Sequence, residues 1–102
     1  MKQQDNRPSA GSVTMSLCSV LIADRRITVW HISLYLGILH LWQQSGCPPQ
    51  VRISRELLMR KARFKSITTY HKYIRELCDF GYIRYMPTYD VYTGSAVEIL
   101  TG

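Results

Sequence analysis

An α+β fold is predicted by three features of this 102-residue chain. Apolar residues recur with helical spacing in three capped segments between Thr28 and Phe80. A short apolar-polar-apolar run, Val51-Arg52-Ile53, separates the first of these from the second. Two alternating runs, Tyr82–Met86 and Ala96–Leu100, flank a loop from Pro87 to Ser95. Helix, strand, helix, turn, helix and hairpin in that order make the outline of a winged helix-turn-helix domain, a three-helix core with a short strand and a C-terminal β-hairpin wing.

The elements follow from their ends. Thr28 caps a long helix running to about Gln44, where Ser45-Gly46 supplies the stop and Pro48-Pro49 forbids continuation. Apolar side chains clothe most of its circumference (Val29, Trp30, Ile32, Leu34, Leu36, Ile38, Leu39, Leu41, Trp42), which predicts a scaffold helix buried on more than one side. Ser54 caps a helix from Arg55 to about Lys61, with Leu57 and Leu58 inward. The turn Ala62-Arg63-Phe64-Lys65 leads to Ser66, cap of a third helix that ends near Phe80 with Gly81 beyond it. In the hairpin, Ile83 and Tyr85 share one face, Arg84 and Met86 the other, and Val51–Ile53 completes the sheet at an edge.

Three units result. Residues 1–12 are polar, with Pro8 and Gly11, and read as a tail. Residues 13–26 form an apolar extension that fits a short helix or a strand and needs a partner surface, either its own domain or a second copy. Residues 27–102 form the winged domain.

Charge is localised rather than spread. Between residues 51 and 75, Arg52, Arg55, Arg60, Lys61, Arg63, Lys65, Lys72 and Arg75 stand against Glu56 alone, a net +7 in a chain whose formal total is +6. Such concentration on a candidate reading unit is the footprint of a nucleic-acid binder.

Advancing 100° per residue along the third helix, Tyr70, Ile74 and Leu77 fall within about 60° of one another, with Tyr73 and Ile67 beside them. Thr68, Lys72, Arg75 and Asp79 lie opposite, flanked by His71 and Thr69. Thr68, His71, Lys72 and Arg75 are therefore candidates for base edges. Ser66 and Thr69 serve the cap or a phosphate, and Arg55, Arg63 and Lys65 are phosphate anchors. Arg84 and the tyrosine-rich loop with Tyr89 and Tyr92 face a neighbouring minor groove on this reading.

Other chemistries lack candidates. No glycine-rich phosphate loop, carboxylate pair or nucleophile elbow appears, so neither a catalytic site nor a cofactor is expected. His31, His40 and His71 lack metal-ligand spacing, and His31 and His40 are expected to be structural. Cys18, Cys47 and Cys78 are odd in number and outside any C-x-x-C pair, which favours free thiols. The most apolar stretch, Trp30–Trp42, is too short to span a membrane, and a cytoplasmic, nucleoid-associated location is expected.

The segment SITTYHKYIRELCDFGYI, residues 66–83, resembles the recognition helix and wing entry of bacterial winged-helix regulators. More closely, ITVWHISLYLGILHLW followed by TYHKYIREL and GYIRYMPTYDVYTGS is similar to small regulators carried on bacterial conjugative transposons, over about residues 25–100. The resemblance implies control of transcription or of element excision, exercised by dimers on double-stranded DNA. The chain departs from it in lacking a basic wing tip. Three rivals remain: an interaction module docking a recombinase or replication protein, a small nuclease, and a single-strand binder using Tyr89 and Tyr92.

Overall fold

A computed structural model describes residues 10–86 and 94–100. Among them are four helices and a three-stranded antiparallel sheet: α1 (Ala10–Ala23), α2 (Val29–Gln44), β1 (Val51–Ile53), α3 (Arg55–Ala62), α4 (Ile67–Asp79), β2 (Ile83–Met86) and β3 (Ser95–Ile99). The residues 13–26 left open between helix and strand are helical as far as Ala23, and the helix begins at Ala10, inside the segment expected to be tail. The loop holding Tyr89 and Tyr92 lies outside the described residues, as does most of the expected tail.

β3 is the central strand, paired with β1 on one side and β2 on the other. The register sets Val51 and Tyr85 against Val97, and Ile83 against Ile99. One sheet face therefore carries Val51, Ile53, Ile83, Tyr85, Val97 and Ile99 toward the helices, and the other carries Arg52, Arg84, Met86, Ala96 and Glu98. Gly94 enters β3 at φ +71, where an added Cβ would lie 2.8 Å from the Ile53 carbonyl oxygen. Only glycine fits so close to the neighbouring backbone.

The core joins Leu34, Tyr35, Ile38 and Leu39 of α2 to Leu58 and Ala62 of α3, Tyr70, Ile74 and Leu77 of α4, and the inner face of the sheet. α1 adds Leu17 and Leu21, so the extension does pack on its own domain. Met15, Val20 and Ile22 on the same helix stay exposed.

α2 differs from expectation on one side. Val29, Ser33, Leu36 and His40 fall on one stripe at 100° per residue, and α3 covers it only at Ser33, leaving Val29, Leu36 and His40 exposed. Val29 is 73% exposed and Leu36 47%. Its apolar circumference exceeds what its neighbours α1, α3, α4 and β1 cover. Ile67, placed beside the core stripe by its angle alone, is 48% exposed because it occupies the first turn of α4, ahead of the elements that bury Tyr70.

Both ends of α3 and α4 are built locally. Ser54 Oγ accepts the Leu57 N–H at 3.3 Å, and Ser66 Oγ accepts the Thr69 N–H at 3.3 Å. α4 stops at Gly81 (φ +87), where the Tyr82 N–H reaches the Leu77 carbonyl at 2.9 Å. α3 stops in the same way with the Phe64 N–H on the Met59 carbonyl at 2.8 Å, but the left-handed position there is held by Arg63 (φ +67).

Candidate nucleic-acid interface

α4 is oriented by what its buried face meets. Tyr70 and Leu77 are fully enclosed and Ile74 nearly so, while Trp30 stacks on Tyr73 with ring centroids 6.3 Å apart. Phe64 packs edge-on to Trp30, Tyr70 and Tyr73, tying the turn before α4 to the same aromatic cluster. Burial raises the Tyr70 hydroxyl pKa well above its ordinary value, and pushes that of Tyr35 up to about 12. Both groups therefore stay neutral at any ordinary pH.

With that face inside, Thr68, His71, Lys72 and Arg75 are exposed together. They line one shallow cleft of about 480 Å³ whose C-terminal end is closed by Glu76 and Asp79. Among the described residues, neither Lys72 nor Arg75 is in an ion pair. Lys72 leans over the Tyr73 ring, its Nζ 5.0 Å from the centroid, which steadies the side chain without neutralising it.

The expected anchors separate into groups. Arg55 lines a hollow of about 430 Å³ between α3 and the start of α4, together with Arg60, Phe64 and Ile67. Ser66 and Lys65 are exposed at the same turn, and Thr69 is half-buried beneath the cap. Arg63 is exposed but lines a different groove, between α2 and α3. Arg84 stands apart from all of these on the outer face of the sheet, and it pairs with its cross-strand neighbour Glu98 at 3.0 Å. Arg84, expected to face a minor groove, must give up that pair before meeting another anion, at a cost of at most about 1 kcal/mol for so exposed a pair.

Two features escaped the sequence. Arg60, counted in the charge but given no role, shares the hollow with Arg55. Its place five residues along the same helix was the available signal. Glu76, given no role above, meets His31 of α2, Oε1 to Nε2 at 2.7 Å. His31 is buried, and its Nδ1 accepts the Thr28 N–H at 2.9 Å. The imidazole proton therefore sits on Nε2 and is donated to Glu76. The histidine fills the role a glutamate usually takes in a capping box and adds a bond to α4. A link across 45 positions leaves no local trace in sequence.

Near the same end of α4, the Tyr82 hydroxyl donates to Asp24 at 2.7 Å, and Arg26 pairs with Asp24 at 2.7 Å while lying 4.2 Å over the Phe80 ring. Hydrogen bonds from Arg26, then from Tyr82, hold the Asp24 carboxyl far below its ordinary value of 3.8.

Comparison with protein-family models, with curated proteins and with solved structures yields no match. No described helix is long and apolar enough to cross a membrane.

Proposed function

We propose that the chain is a winged helix-turn-helix protein that binds duplex DNA in a sequence-specific way and regulates transcription or the mobility of a genetic element. The observation that carries this reading is the cleft on α4: Thr68, His71, Lys72 and Arg75 exposed on one side, with Tyr70, Ile74 and Leu77 buried on the other. Hydroxyl, imidazole, ammonium and guanidinium groups in the first turns of a capped helix match the donor and acceptor pattern of the major groove. Arg55, Arg60 and Lys65 beside the N-terminus of α4 supply phosphate neutralisation, which gives affinity without sequence choice. Arg63 adds to it from the turn. Ser66 and Thr69 present the helix N-terminus to a phosphate.

The protein acts as a homodimer on a two-fold site in this reading, with α1 as the contact. Its exposed Met15, Val20 and Ile22 project from a helix with no charged residue between Ala10 and Ala23 to repel a second copy. The uncovered apolar residues also support the second reading, an interaction module that docks a recombinase or replication protein.

Salt titration of duplex binding tests the first reading. With about five to seven phosphates contacted per protomer, log K falls against log salt with a slope of about −5 to −6. Selection from random duplexes should return a palindrome. A flat salt response with binding to a protein partner that persists in high salt establishes the second reading instead.

A further inference from the structure

We propose that the groove between α2 and α3 is a docking site for an acidic segment of a partner protein, one in which an apolar side chain is flanked by carboxylates. The groove holds about 800 Å³ and has two kinds of wall. Leu36 and Gly37 of α2 and Leu57 of α3 give it an apolar floor, while His40, Arg60, Lys61 and Arg63 surround it. Lys61 Nζ lies 3.4 Å from His40 Nδ1, so the two helices bring their polar groups together at the rim. None of the ion pairs among the described residues involves Arg60, Lys61 or Arg63. Three uncompensated cations around exposed leucine call for an occupant that is negative at its edges and apolar at its centre.

The groove is already formed. Ser33 Oγ donates to the Ala62 carbonyl at 2.6 Å, fixing α2 against the end of α3. Gly37 lies so close to α3 that an added Cβ would stand 3.0 Å from Leu58 Cδ1. An occupant therefore meets a backbone surface already in place, and the ordering cost is confined to the Arg60, Lys61 and Arg63 side chains. Exposed Val29, on the same stripe of α2 as Ser33, Leu36 and His40, continues that wall along the helix, giving an amphipathic helix more than one position to cover. A nucleic-acid backbone satisfies the cations but leaves the leucines in water, and the α4 cleft, which has no leucine in its lining, is the better fit for it. Among the described residues only Glu56 and Asp79 are exposed acids, and they stand singly, so no described segment of a second copy matches the occupant.

Panning a phage-displayed random peptide library on the full chain tests the proposal. Recovered peptides should place Leu, Met or Phe beside Asp or Glu. A selected peptide, synthesised and labelled, should lose at least about tenfold in affinity for Leu36→Glu and for the Arg60→Glu/Lys61→Glu pair. It should bind Lys72→Glu as it binds the parent chain, because Lys72 lies in the other cleft. Leu36→Gln gives the same reading should the glutamate variant fail to fold. Absence of an apolar-acidic consensus, retention on both Leu36 variants, or loss on Lys72→Glu overturns the proposal. The Lys72 arm also keeps this outcome distinct from that of DNA binding.

Discussion

The two ends of α4 are built on different terms. At its N-terminus the helix is held by a serine cap and an aromatic cluster, and Thr68, His71 and Lys72 face outward with no ion pair among the described residues. At its C-terminus, Glu76 is bonded to buried His31, Gly81 turns the chain in left-handed geometry, and Tyr82 is bonded to Asp24. At the second end Glu76 and Tyr82 are used up inside the protein and only Asp79 stays free, whereas the polar groups at the first are left for something outside it. A helix fastened at one end and chemically free at the other presents a fixed surface, which a reader of base edges requires.

The turn before α4 sharpens the contrast. Arg63 and Gly81 occupy equivalent left-handed positions at successive helix ends, yet only one is glycine. A side chain in that conformation costs roughly 1–2 kcal/mol. At α3 this cost is accepted for a residue that carries charge; at α4, where no charge is needed, it is avoided. Strain retained beside a candidate binding surface is a pointer to function.

The largest effect should come from the fastened end. His31→Ala removes a buried side chain and leaves the Thr28 N–H and the Glu76 carboxylate without their partner, and should cost about 3 kcal/mol of unfolding free energy by denaturant titration. Equal stability of the variant would break the comparison. Arg75→Ala, on the exposed face, should cost about 1–3 kcal/mol of discrimination at one base pair while moving stability by less than about 0.5 kcal/mol. Selection profiles and melting curves, measured side by side, separate the two quantities. Lys65→Ala should instead weaken all duplexes alike.

The paired turns predict opposite signs. Gly81→Ala should destabilise by about 1–2 kcal/mol, purely through the backbone, since nothing lies within 4 Å of an added Cβ. Arg63→Gly should stabilise by about 0.5–1 kcal/mol and weaken duplex binding at low salt. A loss of stability in that second variant would show that the Arg63 side chain, not its backbone, holds the turn.

The smallest effect is the pH dependence. The Asp24 carboxyl is held below its ordinary value of 3.8, so its contribution is complete above that pH and is lost as the solution is acidified through the lower, folded value. Asp24→Asn should flatten the acid limb of the plot of melting temperature against pH and leave the neutral region level.

Caps, stops and periodicities made α2, α3, α4 and the strands legible from sequence because each is a short-range property, whereas α1, without such signals, stayed open between helix and strand. Ser54, Ser66, Gly46 and Gly81 marked ends that the fold respects to within a residue or two. The core stripe Tyr70–Ile74–Leu77 and the outward set Thr68, His71, Lys72 and Arg75 followed from one angle per residue. The same rule failed for Ile67 and for the Val29–Leu36 stripe, because an apolar side chain records what it prefers, not whether a neighbour arrives to cover it.

The chain's own order of residues thus determined its elements, their ends and the chemical character of each face. Tertiary packing decided which faces were covered, which acids were neutralised and which cations stayed free. Glu76 and Arg75 are adjacent in sequence, but one meets a histidine 45 positions away and the other meets water. Local geometry is set by bonds between near neighbours, whereas burial and pairing depend on which distant segments the fold brings within reach.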